Sequence, residues 1–237
     1  MATPPDHADA VVLVSGGLDS AVTLAAARAE GRRCAALTID YGQRHRVELD
    51  AASRVARAQG AREVRLALDL RAIGGSALTA DIAVPRSRDE RHMHAAIPVT
   101  YVPARNLVFL SLAFGLAETL GASEVWIGVN AVDFSGYPDC RPAFIRAFEA
   151  AAREGTRAGA SGEAIRVRTP IIDLAKPEII RHAARLGVDL SLTHSCYDPD
   201  PVGLACGSCE ACSIRRRGFE AAGLPDPTRY APAGAAP

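Results

Sequence analysis

The apolar run Val11-Val12-Leu13-Val14 passes directly into Ser15-Gly16-Gly17-Leu18-Asp19-Ser20, and then into an alanine-rich stretch from Ala21 to Glu30. That succession predicts a strand, a glycine turn and a helix start with nothing between them. A strand apolar on both faces belongs inside a parallel sheet, so the junction constrains the fold and a site together. The first turn of a helix presents unpaired backbone N–H groups and the positive end of its dipole. Two adjacent glycines let an anion approach that backbone, and the Ser15 and Ser20 hydroxyls can add hydrogen bonds. A phosphate-bearing ligand is the occupant this geometry suits, held by Ser15, Gly16, Gly17, Leu18, Asp19 and Ser20. The stretch has neither the Gly-Lys-Ser/Thr ending of a P-loop nor the Gly-x-Gly-x-x-Gly of a dinucleotide fold. Asp19 beside a polyphosphate would be repulsive without a bridging divalent cation, which brings in Mg²⁺. The plainer alternative is a glycine turn with a serine cap.

After Gly31, which can cap the first helix, the pattern repeats. Cys34 to Asp40 reads as a buried strand, Val47 to Ala58 as a helix closing at Gly60, and Glu63 to Leu70 as a third strand. A β-α-β-α-β opening implies a parallel sheet with helices on both faces, whose ligands bind at the carboxyl ends of the strands. Ser15 and Asp40 both fall there. The expected class is α/β, a Rossmann-like doubly wound parallel sheet carrying a small C-terminal zinc-binding subdomain. Its boundaries are set at 10–190 for the α/β domain and 191–230 for the C-terminal segment.

Residues 71 to 98 show no sustained period and include His92 and His94 in a charged stretch, which reads as a solvated loop. Leu107 to Leu120 is apolar nearly all round and so predicts a buried helix against the sheet, ending at Gly121. Arg105 precedes it, a cation at the positive end of a helix dipole, which suggests an anionic ligand or an ion pair. Glu124 to Val129 is a further strand. The loop beyond it is dense in Asp133, Phe134, Tyr137, Asp139 and Cys140, groups able to hydrogen-bond and stack on a purine-like ring. Pro142 to Arg153 predicts a helix, Gly155 to Gly162 a break, Ile165 to Ile172 a strand, and Pro177 the start of a helix stopping at Gly187. Lys176 sits at that last helix start, again a cation where an anion is favoured, or a merely solvated side chain.

Two residues each separate Cys206, Cys209 and Cys212, and nine separate Cys196 from Cys206. Four thiolates at such spacings suit a closed tetrahedral zinc site of structural type, with an iron-sulfur cluster as the alternative and His194 as a spare ligand. Cys34 reads as core. Cys140 is the one cysteine outside the cluster with a chemical opportunity. The 27 basic residues equal the 27 acidic ones, so no global field draws the chain to nucleic acid or membrane. With no apolar run of spanning length and no signal-peptide core in Met1 to Asp9, a cytoplasmic location is expected.

SGGLDS at Ser15 to Ser20 resembles the signature of the N-type ATP pyrophosphatases. YVPARNLVFLSLA at Tyr101 to Ala113, GVNAVDFSGYPDCRP at Gly128 to Pro142, and THSCYDP with CGSCEAC at Thr193 to Cys212 sharpen the likeness. Together they resemble the bacterial 7-cyano-7-deazaguanine synthases of the queuosine pathway. Ala104 departs from the glycine that many members carry before Arg-Asn. The resemblance implies an ATP-dependent carbon–nitrogen ligase acting on 7-carboxy-7-deazaguanine and ammonia, with ATP·Mg and Zn as cofactors and a homodimer as the assembly. It assigns Asp19, Arg105 and Lys176 to catalysis, Asp133, Tyr137 and Asp139 to the deazaguanine, and Cys196, Cys206, Cys209 and Cys212 to the metal. No direct nucleic-acid or membrane partner is expected. Three alternatives stay open: a relative that attaches the deazaguanine amide to a macromolecule, a tRNA-thiolating relative, and a zinc-containing interaction module without catalysis.

Overall fold

The apolar runs at the start of the chain, Val11 to Val14 and Cys34 to Asp40, become strands of one sheet in the computed structural model, which describes residues 7–85, 97–130 and 136–232. The elements begin with β1 (Ala10–Leu13), α1 (Leu18–Ala29), β2 (Cys34–Asp40), α2 (Val47–Ala58) and β3 (Arg62–Ala67). They continue with α3 (Arg105–Leu120), β4 (Glu124–Trp126), α4 (Pro142–Gly155), α5 (Arg157–Ala160), β5 (Arg166–Arg168), α6 (Lys176–Arg185) and α7 (Glu210–Ala222). Among the described residues the sheet runs β3-β2-β1-β4-β5, all parallel. Period-two alternation sends the strands' side chains to both faces. Val11, Leu13, Leu37 and Val125 meet Leu110, Phe114 and Ala117 of α3 on one face. Val12, Val14, Ala36 and Trp126 meet Leu24 of α1 and Val55 of α2 on the other. The sheet is therefore doubly wound, and the order of its strands reverses direction between β1 and β4.

Several boundaries move for local reasons. The third strand stops at Ala67 rather than Leu70, because the Leu70 N–H donates to Tyr41 O and Asp69 caps a short 3-10 turn. The last strand is confined to Arg166–Arg168, and the glycine-rich break contains α5, capped by the Thr156 side chain. Helix α3 is not buried all round. It packs on one sheet face through Asn106, Leu110, Ala113, Phe114, Ala117 and Leu120, leaving Leu107 46% exposed. No helix among the described residues is long and apolar enough to cross a membrane. The residues from 191 onward are built onto the α/β body. Phe219 of α7 joins Ile179 and Ile180 of α6 and Leu18 and Val22 of α1 in one apolar cluster. A Cβ on Gly218 would come within 2.6 Å of Lys176 Cγ, so glycine there lets α7 lie against the start of α6.

At the amino end of β4, away from the loops that follow β1 and β4, Glu124 is buried and fully engaged. Arg168 Nη1 donates to it at 2.9 Å, Arg32 Nη2 at 3.2 Å and Trp126 Nε1 at 3.0 Å. Removing the carboxylate leaves the Arg32 guanidinium and the Trp126 N–H without it, while Arg168 keeps its 3.0 Å bonds to Glu30. The two arginines are 37–38% exposed, which moderates the cost below that of a fully buried pair. Glu124→Ala is expected to lower unfolding free energy by about 2 kcal/mol in urea titrations without changing ligand affinity.

Candidate active site

The loop after β1 owes its shape to two close approaches. Gly16 has φ +87°, and a Cβ there would lie 2.3 Å from Glu48 O and 2.7 Å from Ala52 N of α2. Gly128, at the end of β4, approaches the first turn of α1, where a Cβ would stand 2.8 Å from Thr23 Oγ1 and 3.0 Å from Asp19 O. No side chain fits at either position. The serines have different tasks. Ser20 is buried, accepts from Ser15 N at 3.2 Å and donates to Gly17 O at 3.0 Å, holding the loop closed. Ser15 is exposed toward a cavity of about 280 Å³ that the loop borders.

That cavity lies at the carboxyl ends of β1 and β4, where a doubly wound sheet binds its ligands. Its wall includes Ser15, Gly17, Leu18, Asp19 and Ser20 together with Arg105, Tyr137, Cys140 and Lys176. Most of the residues singled out from sequence thus meet in one place. Lys176 Nζ donates to both oxygens of Asp19, at 2.6 and 2.8 Å, and Asn130 Nδ2 adds a third bond at 3.0 Å. The anion at the start of α6 is therefore Asp19 itself. Arg105 extends over the Tyr41 ring, 5.9 Å from its centroid. Tyr137 shares a 2.9 Å hydrogen bond with Thr100 Oγ1, and burial pushes its phenol above the ordinary value.

Two expectations are corrected. Asp139 does not border the cavity: its Oδ2 accepts from Asn106 N at 2.9 Å, supplying a cap to α3 from another part of the chain. Asp40 accepts from Arg46 at 3.0 Å and from Gly42 N, which ties down the turn after β2. Asp133, Phe134, His92 and His94 lie outside the described residues.

Other wall residues carry no sequence signal for this cavity, His194 reading only as a spare metal ligand. Glu48, in the first turn of α2, is half-buried beside the cavity, and burial pushes its carboxyl up to about 7 against the opposing pull of Arg105. His194 has a buried Nε2 without a hydrogen-bond partner among the described residues, and burial lowers its pKa. Its backbone N–H donates to Gly16 O at 2.9 Å. Arg215, 3% exposed, donates to Thr193 Oγ1, Ser195 Oγ and Leu190 O and pairs with Asp226 at 3.0 Å. The segment from Thr193 to Ser195 is thereby held against the phosphate-type loop.

One residue further on begins the cysteine cluster. The four Sγ atoms of Cys196, Cys206, Cys209 and Cys212 lie within 4.8 Å of one another, with Cys196 and Cys209 at 4.0 Å. Tetrahedral thiolates around a Zn²⁺-sized ion stand about 3.8 Å apart. Backbone N–H groups of Asp198 and Cys206 already donate to Cys196 Sγ, and those of Ser208 and Cys209 to Cys206 Sγ. Such bonds suit sulfurs that carry negative charge. The donor set fits a metal ion, and among the described residues it is the only such group.

The model of the queuosine biosynthesis protein QueC family matches residues 9–223. The chain belongs to that family. Relatives named 7-cyano-7-deazaguanine synthase include one from Myxococcus xanthus, 58% identical over 222 residues that span 93% of this chain and 96% of its own. Another, from Solidesulfovibrio magneticus, is 60% identical over 225 residues, 94% and 96% of the two chains. A third, from Methylococcus capsulatus, is 60% identical over 225 residues, 93% and 98%. Ala104 gains a physical meaning within the QueC family. It is the one non-glycine residue with positive φ among the described residues, at +56°, and this left-handed cap starts α3 at Arg105. Glycine adopts that conformation without the strain a Cβ brings.

Replacing Gly16 with alanine combines the left-handed penalty with a backbone collision. Gly16→Ala is expected to cost more than about 2 kcal/mol in stability and to abolish nucleotide binding, read by urea unfolding and titration calorimetry.

Proposed function

We propose that this protein is an ATP-dependent 7-cyano-7-deazaguanine synthase, converting 7-carboxy-7-deazaguanine and ammonia to the nitrile for queuosine biosynthesis. The observation that carries the reading is one cavity bordered by the Ser15 to Ser20 loop, Arg105, Lys176 and Tyr137 in a QueC-family chain.

A carboxylate is a poor electrophile because its leaving group would be oxide. Attack of a carboxylate oxygen on the α-phosphorus of ATP gives an acyl-adenylate and pyrophosphate, and supplies a phosphate leaving group. The unpaired amides at the start of α1 bind the phosphates, with Ser15 Oγ beside them. Lys176 can pass from Asp19 to a phosphoryl oxygen, and Arg105 steadies the substrate carboxylate. Tyr137, fixed by Thr100, offers a face for the deazaguanine ring. Asp19 would hold Mg²⁺, which would supply positive charge to offset that of the nucleotide. Ammonia then forms the amide, and a second activation at the amide oxygen lets it leave with both amide protons lost. Cys196, Cys206, Cys209 and Cys212 would hold Zn²⁺ as a closed structural site. The same reading takes the protein as a cytoplasmic homodimer.

Purified protein with Mg·ATP, ammonium and 7-carboxy-7-deazaguanine is expected to yield the nitrile together with AMP, separated by chromatography and weighed by mass spectrometry. Amide alone would indicate a relative that passes the deazaguanine to a macromolecule. No consumption of ATP would sink the ligase reading.

A further inference from the structure

Amide formation, in the reaction proposed above, needs ammonia with a free lone pair, yet at neutral pH ammonia in water is almost wholly ammonium. A proton acceptor inside the cavity is therefore required, and it has to be an anion or a neutral base not already committed to a fixed cation. Asp19 fails that condition, since Lys176 Nζ takes both of its oxygens and Asn130 donates to one, and once Lys176 turns to the phosphates Asp19 would be taken by Mg²⁺. Tyr41, like Tyr137, has its phenol pushed above the ordinary value by burial and stays neutral. His194 has its Nε2 shut off from solvent.

Glu48 remains. Its carboxylate borders the cavity and makes no hydrogen bond or ion pair with any described residue, and its backbone oxygen lies against Gly16, beside the phosphate-type loop. A half-buried carboxylate without a hydrogen-bond partner is costly, and the pull of Arg105 offsets only part of that cost. The charged and titratable groups facing the same space are Tyr41 after β2, Arg105 of α3, Asp19 of α1 and Lys176 of α6, with Tyr137 and Cys140 beyond β4 and His194, Tyr197 and Arg215 of the C-terminal segment. Of these, Arg105 is the cation that acts on Glu48.

We propose that Glu48 is the catalytic base of the amide-forming step, taking a proton from ammonium within the cavity. The freed nitrogen lone pair forms the N–C bond to the acyl-adenylate carbon, and the C–O bond to phosphate breaks with its electron pair going to AMP. Of the four ammonium protons, one rests on Glu48, one goes to the departing phosphate oxygen and two remain on the amide. Burial holds the Glu48 carboxyl at about 7, a value at which it can both accept and release a proton near neutral pH. The raised value means that the acceptor form is lost as pH falls below about 7, so the amidation rate falls on that side.

The test separates the half-reactions in Glu48→Gln. Exchange of labelled pyrophosphate into ATP, driven by 7-carboxy-7-deazaguanine without ammonia, reports adenylation and an intact fold. Amide formed from ammonium reports the next step, and hydroxamate formed from hydroxylamine, already neutral at pH 7, reports that step without the need for a base. The expected result is exchange within a few-fold of the parent, amidation at pH 7 reduced about 10²-fold or more, and hydroxamate formation largely kept. The amidation deficit should also shrink as pH rises and free ammonia accumulates. Equal losses in exchange and amidation would make Glu48 a binding residue and overturn the assignment, as would unchanged amidation. A parent protein that exchanges no pyrophosphate would overturn the adenylation step itself, before the variant is compared.

Discussion

The closeness of the loop after β1 to its neighbours decides the shape of the site. Gly16 lies against the backbone of α2 and Gly128 against the first turn of α1, so the start of α1 is set at the β1–β4 reversal with no side chain between. Unpaired amides are thereby aimed at the cavity. The same contact brings the first turn of α2, with Glu48, beside the loop. Any substitution that widens either approach shifts several functional groups together, because interiors at this density transmit displacement.

The C-terminal segment completes that arrangement. The His194 N–H holds Gly16 O, and Arg215 from α7 holds Thr193, Ser195 and Leu190 O. Cys196 follows two residues after His194, so the cysteine cluster anchors the strap that borders the cavity. Gly218 lets α7 reach the start of α6, where Lys176 meets Asp19. The cysteine cluster thus bears on the site through backbone placement.

Much of this was legible in the chain because the signals were local. Strand β2 and helix α2 fall at Cys34–Asp40 and Val47–Ala58 as their periodicity predicts, since both are bounded by sharp turn residues. The phosphate-type loop and the four cysteines carry their chemistry in consecutive or closely spaced residues. What escaped depends on distant parts of the chain. Asp139 caps α3 across 33 positions, and the carboxyl terminus of that hydrogen bond cannot be told from a ligand contact by composition. Glu48 looks like any first-turn glutamate, and only the fold brings it to the cavity. Arg215 reads as one of three adjacent arginines until tertiary packing buries it.

The central claim is that a carboxylate oxygen of the substrate attacks the α-phosphorus of ATP held by the Ser15 to Ser20 loop. Substrate labelled with ¹⁸O in both carboxylate oxygens tests it in one turnover limited to the amide. The account predicts that the label leaves in AMP, observed by mass spectrometry or by the isotope shift of its phosphorus resonance. Label recovered in inorganic phosphate, with ADP as the nucleotide product, would contradict it and place the attack on the γ-phosphorus instead.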